Sequence, residues 1–582
     1  MAKRRPALDR PEQLRPGRRL LARAVVPAAL VLFTGIAYAP VLRAPFIGDD
    51  YVFLDETCNA SFVDLWSRRH VAFGWYRPWS RELHFWALQR LFGPHEPGFR
   101  IASLFLWLVG LGLYLAFLRR AAGGRVATVA ALGVASLSLW GAPLAWNSGV
   151  QDLWMLLFVL LTLLLIARGS VAWPWASFVA ALLSKETAAV LPLLVLAQAR
   201  WIERLDARAT LRRVGPFAGL TLAWMLVHPV LIHRLAHPEA LPATGDVTLP
   251  PWVGLGRSML SLINCDQLLL PRDPDAARPV ATVVSASMLA LAAFWELRRH
   301  HETAPARASR AGLVRFGATW CAAGWLPLLS PSIGWHAYYG SLGALGAWII
   351  LATVLVDQRR FAVGSLFVLG LLRGAAETAR SWDWGSQWFQ ARAGNMLHLI
   401  HDQLLSLHPT LPRHSRLYFG SVPNNVGLIA GDSPAVRVWY GDSTMRGGFY
   451  SAYRPRALDE PRGPDLFFHF DSTTGIRDVS VDGAEGETGP AWERDHESLA
   501  MTLVSAGDLP RAATLFEAIA RLPHRADALM FGGVCREASG DTVLAAADYA
   551  RAGERTGRTS REIEAWASRL RASMPRPSAV RP

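Results

Sequence analysis

Long apolar runs recur along the first two thirds of the chain, separated by short arginine-rich stretches. They cover residues 24–42, 99–118, 126–146, 153–166, 171–183, 188–198, 217–232, 280–297, 316–329, 339–356 and 361–372. A helix needs about 20 apolar residues to cross the hydrocarbon, so the pattern predicts about eleven transmembrane helices. The arginines fall on alternate connections: Arg119, Arg120 and Arg125, then Arg200 to Arg213, then Arg298 to Arg315, then Arg359 and Arg360. The positive-inside rule puts these connections, and the basic tail 1–23, on the cytoplasmic side. Ala37-Tyr38-Ala39 resembles a signal-peptide cleavage site, but Pro40 follows it, and the first run reads as an uncleaved helix.

The pattern changes twice. Residues 43–97 form a mixed external loop in which 59–69 and 79–92 read as short amphipathic segments. In the second, Leu83, Trp86 and Leu91 are expected to face apolar material, and Arg81, Glu82 and Gln89 water. From about 379 the composition becomes soluble. There 388–407 reads as a helix, and 416–420, 436–440 and 466–470 as short strands split by turn residues. In 489–572, Gly507-Asp508, Ala512 and Phe516 recur as Gly540-Asp541, Ala545 and Tyr549. That offset is close to the period of tetratricopeptide repeats, which dock peptides or protein partners. Residues 573–582 read as a disordered tail. The fold class is therefore mainly α: a polytopic membrane domain over 24–378, a small soluble α/β module over 379–488, and TPR-like helical repeats.

Composition sharpens this picture. The chain of 582 residues is 52% hydrophobic with 24 Trp, and the net charge is +14. Tryptophan in excess fits interfacial belts, and basic charge between apolar runs is a membrane-surface signal, not one for nucleic acid. Of the 60 basic residues only Lys3 and Lys185 are lysine, which fits codon bias in a GC-rich bacterium. A lone lysine inside such a chain is a candidate functional group, since arginine does not replace a compact point charge. The four cysteines show no metal spacing; Cys58 and Cys265 both fall outside the cytoplasm in the predicted topology, which leaves a disulfide between them open.

Four polar clusters share the predicted outer face: Asp49-Asp50, Tyr76-Arg77-Pro78, Ser184-Lys185-Glu186 and Trp335-His336-Ala337-Tyr338-Tyr339. Charges at membrane depth are costly, so such residues are functional candidates. A lipid-phosphate sugar donor would fit them. Phosphate leaves as a stable anion, cations such as Arg77 and Lys185 stabilise it, and one carboxylate, Asp49 or Asp50, takes the acceptor's proton. Alternatively the two carboxylates share a divalent cation, Mg or Mn. Glu186 reads as the structural partner of Lys185. Tyr76, His336, Tyr338 and Tyr339 complete the candidate substrate-binding set.

Together, Phe46-Ile47-Gly48-Asp49-Asp50, Tyr76-Arg77-Pro78 with Leu91-Phe92-Gly93, Leu183-Ser184-Lys185-Glu186-Thr187, Trp146 to Asp152, and Pro331-Ser332-Ile333-Gly334 before an aromatic cluster resemble GT-C glycosyltransferases. The branch they look most similar to is the transmembrane-and-tetratricopeptide O-mannosyltransferases and their bacterial relatives. The resemblance implies a bacterial inner-membrane enzyme with a cytoplasmic N-terminus and a periplasmic C-terminal domain. It would use a polyprenyl-phosphate-linked sugar donor and a protein or glycan acceptor, with Asp49 and Asp50 as the catalytic pair. Two rivals stand beside this: a transporter, and a non-catalytic membrane scaffold presenting its repeats to a protein partner.

Overall fold

The computed structural model describes residues 16–67, 75–228, 250–272, 277–299, 308–329, 335–381, 383, 385–423, 433–480 and 489–574. Most of the basic tail, the end of the run 217–232, the motif at 331–334 and nearly all of the C-terminal tail lie outside them. The chain forms two compact units: Met1–Phe46 with Glu56–Arg392, and Ile47–Asp55 with Ala393–Pro582. The segment carrying Asp49 and Asp50 thus groups with the C-terminal part of the chain, not with the predicted membrane domain.

The first unit is helical. Each of the eleven apolar runs contains a helix. Among the described residues, four helices are long and apolar enough to cross a membrane: Glu96–Ala121, Asn147–Ala167, Val280–Arg298 and Ala337–Leu355. The pair Gly124–Ala135 and Ser138–Ala145 makes a fifth if its 56° bend is one broken span. Exposed Ile101, Phe105, Leu291 and Phe361 line outer helix faces, as expected of surfaces meeting hydrocarbon.

Glycine sets the closest packing. A Cβ on Gly346 would lie 2.5 Å from the Cys321 nitrogen and 2.6 Å from the Gly317 oxygen, and one on Gly324 would lie 2.4 Å from the Gly343 nitrogen. The helices Arg310–Trp325 and Ser341–Leu355 therefore touch backbone to backbone, the mode by which helices associate where lipid removes the hydrophobic drive. Arg373 is fully buried, yet its Nε donates to Glu377 and its Nη1 to the carbonyls of Ala135 and Leu137. It is a structural strap, because a buried charge persists only when paired and hydrogen-bonded.

The amphipathic reading of 79–92 inverts. A π-turn Trp79–Leu83 leads into the helix His84–Phe92, with Arg81 and Glu82 buried against each other and Leu91 exposed. Mutual neutralisation lets the charged pair go inside. Cys58 and Cys265, the pairing left open, are not joined; all four cysteines are free.

The second unit holds a four-stranded sheet in the order β2-β1-β3-β4, with β1 Arg416–Gly420, β2 Arg446–Phe449, β3 Asp465–Asp471 and β4 Gly475–Asp478. β1 runs parallel to both neighbours, and β4 is antiparallel to β3. The predicted strand 436–440 is instead a helix, Pro434–Tyr440. Pro434 fixes a helical φ at its first turn, and Gly441, at φ +64°, ends it in the left-handed region. The helix Gln387–Leu407 is tied to β4 by Gln403, whose amide bonds the Thr474 carbonyl and the Ile476 N–H.

Five helices follow: Pro490–Ser505, Leu509–Ile519, Ala526–Ala538, Thr542–Thr556 and Ser560–Ser573. Gly507 and Gly540, at equivalent repeat positions, both take positive φ, +81° and +93°. Ala512, Phe516 and Ala545 are buried. Tyr418, Tyr453 and Phe467 of the sheet module share one apolar core with Leu499, Leu503, Phe516 and Ile519 of the helices. These helices therefore do not stand alone but share their core with the sheet.

Candidate functional site

The first unit gathers most of the predicted site residues. Trp79 donates its backbone N–H to the Leu183 carbonyl at 3.2 Å, and the Ser80 hydroxyl donates to the Ser184 carbonyl at 2.6 Å. These bonds clip the turn after Arg77 onto the segment that carries Lys185 and Glu186. Lys185 is in extended backbone, φ −162° and ψ 142°, just before the 3-10 turn Glu186–Val190. Successive side chains there diverge, so Lys185 and Glu186 find different partners.

Lys185 does not pair with Glu186 as expected. Its ammonium donates to both oxygens of Asp152, each at 2.7 Å. Asp152 stands in the first turn of the apolar helix Val150–Ala167, where the helix dipole favours an anion. Glu186 instead takes Arg77, whose Nε lies 3.0 and 2.9 Å from the two carboxylate oxygens and whose Nη2 lies 2.6 Å from one of them. The other arm of Arg77 donates to the Gln151 side-chain oxygen. His228 Nε2 lies 3.7 Å from Glu186. Two cations and two carboxylates thus alternate in one nearly buried cluster, with side-chain exposures of 7–15%.

Burial sets the electrostatics. It opposes ionisation of Glu186, but the charge and hydrogen bonds of Arg77, helped by His228, outweigh it and hold the carboxyl at about 2. Burial pulls the Lys185 ammonium below its ordinary value; Asp152 works against this and Arg77 with it.

Aromatic rings wall the cluster. The Lys185 ammonium sits 5.7 Å from the Tyr338 ring centre and 5.6 Å from that of Tyr339, within cation–π range. Arg77 lies over Trp75 at 5.1 Å. His336 stacks on Tyr338 at 5.8 Å with the rings 4° apart, and its Nδ1 is bonded to Asp383. Gly385 lets this ring in, since a Cβ there would sit 2.8 Å from the His336 Cβ. Arg77, Lys185, Glu186, His336, Tyr338 and Tyr339 are thus brought together. Tyr76 is spent elsewhere, donating its hydroxyl to the Trp66 carbonyl at 3.0 Å.

Asp49 and Asp50 open the helix Asp49–Cys58 in the other unit. Asp50 is fully buried and accepts the Ile47 N–H at 3.2 Å. Gly48, at φ +52°, makes the turn before them, a conformation a side chain would strain. Within the same unit Arg437 binds Asp55 at 2.7 Å, and the Trp439 indole donates to the Tyr51 hydroxyl at 3.1 Å.

Gln151, Asp152, His228 and Asp383 were not foreseen as site members. Asp152 carried a signal, being one of few acids beside an apolar run. Arg100 was also missed. It is fully buried and donates to the carbonyls of Ala44 and Pro45, fastening the chain just ahead of residue 47.

Two crystal structures of ArnT from Cupriavidus metallidurans are similar to this chain. The one bound to undecaprenyl phosphate is 15% identical, covers 78% of this chain and 94% of its own, and has a TM-score of 0.37. The apo one is 16% identical, covers 74% and 85%, and has a TM-score of 0.39. No family model and no curated protein matches the chain.

Proposed function

We propose that this protein is a membrane glycosyltransferase. It transfers a sugar from a polyprenyl-phosphate-linked donor to an acceptor on the outer face of a bacterial inner membrane, with about eleven membrane crossings and TPR-like repeats at its end. The observation that carries the reading is the Arg77–Glu186 and Lys185–Asp152 cluster, walled by Tyr338 and Tyr339 in a unit of apolar helices. Such a cluster does not maximise stability, because apolar residues of similar volume in place of a buried ion pair are often neutral or better.

An ammonium has three donors. Asp152 engages Lys185 through two contacts, and a third N–H is the one a departing phosphate takes. Developing negative charge on the leaving oxygen is stabilised there, and no general acid is required. Asp152 and Glu186 are both committed to cations, so neither serves readily as the base that accepts the acceptor's proton. We assign that role to the Asp49-Asp50 pair, alone or with a shared Mg or Mn ion. The half-buried ring of Tyr339 offers a surface for a sugar, backed by the buried Tyr338 and His336.

The test is sugar transfer from a polyprenyl-phosphate donor in proteoliposomes, comparing the wild type with Asp49→Asn, Asp50→Asn and Lys185→Ala. Loss of transfer in Lys185→Ala and in at least one Asp variant is expected. Full activity in all three removes the mechanism.

A further inference from the structure

We propose that the helix Gln387–Leu407 carries a binding site for a divalent transition-metal ion of the zinc class, made by His398, His401 and Asp402. Positions three and four apart share one face of a helix, so this spacing aims two imidazoles and a carboxylate at one point. The donors already converge: one ligand atom from each residue lies within 4.8 Å of the others. His401 Nδ1 is 2.9 Å from one Asp402 oxygen, and His398 Nε2 is 3.7 Å from the other. Zinc binds N and O donors at about 2.0–2.2 Å, which puts neighbouring donors roughly 3–3.5 Å apart. The two separations, 2.9 and 3.7 Å, bracket that spacing, and small rotations of the two imidazoles bring both pairs to it.

The donor set selects the ion. Imidazole suits zinc and its neighbours, whereas Mg and Ca favour sites built of oxygen. Three protein ligands leave a fourth position for water or a small ligand. Access is direct, because the side chains of His398 and Asp402 are 53% and 62% exposed.

The surroundings give the site a consequence. The His401 ring packs on Trp439 at 5.3 Å. The same Trp439 indole donates to the Tyr51 hydroxyl, and Tyr51 directly follows Asp50 on the helix Asp49–Cys58. His401, Trp439 and Tyr51 all belong to one unit. An ion that fixes His401 therefore orders the support of the segment carrying the acidic pair. The metal site does not depend on the glycosyltransferase reading, since its ligands lie outside the Arg77–Lys185 cluster.

The experiment uses the full chain, expressed without a polyhistidine tag, purified in detergent, stripped with a chelator and dialysed against zinc. The wild type is expected to retain one zinc per chain. His401→Ala and the double variant His398→Ala/Asp402→Asn are expected to lose that equivalent, although they fold, as shown by helical circular dichroism and an unchanged Tm in chelator. Zinc is expected to raise the Tm of the wild type and of neither variant. Cobalt in place of zinc is expected to give visible ligand-field bands in the wild type only. No zinc retained by the wild type, or equal zinc in wild type and variants, overturns the proposal. The first result leaves Asp402 an ordinary ion-pair partner of two histidines, and the second puts the ion elsewhere.

Discussion

Ion pairs in the helical unit and in the C-terminal helices use the same groups under opposite conditions. Arg77, Lys185, Asp152 and Glu186 have exposures of 7–15%, and each cation holds one carboxylate. In the tail, Arg571 reaches both Glu537 and Glu564, with side chains 34–66% exposed. Water replaces either tail partner when the other is removed, so such pairs contribute about 0–1 kcal/mol. A buried charge has no substitute, and removing its partner costs roughly 3–5 kcal/mol. The tail can lose its pairs and stay folded. In the buried cluster each charge depends on its partner, so a single removal is costly there.

The largest effect is expected for Lys185→Ala, which strands Asp152. Stability should fall by roughly 3–5 kcal/mol, read as a lower Tm in detergent, and transfer should cease. The double variant Lys185→Met/Asp152→Leu sharpens the comparison. It should recover most of the stability but none of the transfer, and a double variant that still transfers sugar would make the cluster purely structural.

Next is the pH dependence of Glu186. Its folded value, about 2, is below the ordinary 4.5. The unfolded chain therefore binds the proton more readily. The stabilisation is complete above 4.5 and is lost as pH falls through the interval toward about 2. Glu186→Gln should lack this component, so its Tm should depend less on pH there than that of the wild type.

A smaller loss, about 1–3 kcal/mol, is expected for Gly346→Val, whose side chain meets backbone at 2.5 and 2.6 Å across the helix pair. The smallest is for Arg571→Ala, at most about 1 kcal/mol and weaker still in high salt. A Tm loss for Arg571→Ala comparable to that for Lys185→Ala would erase the contrast between the two regions.

Local pattern was enough for much of the fold. Continuous apolar runs form helices whatever surrounds them, and a helix stands in each of the eleven. The strands β1 and β3 were legible from β-rich segments between turn residues. The segment 436–440 was misread because Val and aromatic residues favour strands, although Pro434 and Gly441 bracketed a helix. Arg81 and Glu82 were misplaced because amphipathicity treats charges one at a time, and these two cancel each other.

By itself the sequence singled out several of the residues that the structure gathers, among them Arg77, Lys185 and Glu186. A single lysine among arginines, a charge beside an apolar run and an aromatic cluster are visible without coordinates. What only the tertiary structure decided is who pairs with whom. Lys185 reaches back 33 residues to Asp152, and Glu186 reaches back 109 to Arg77, while the adjacent Lys-Glu pair is not the one made. The reason is geometric. Extended backbone sends neighbouring side chains apart, and burial then forces each charge onto whatever opposite charge the packing of distant helices delivers.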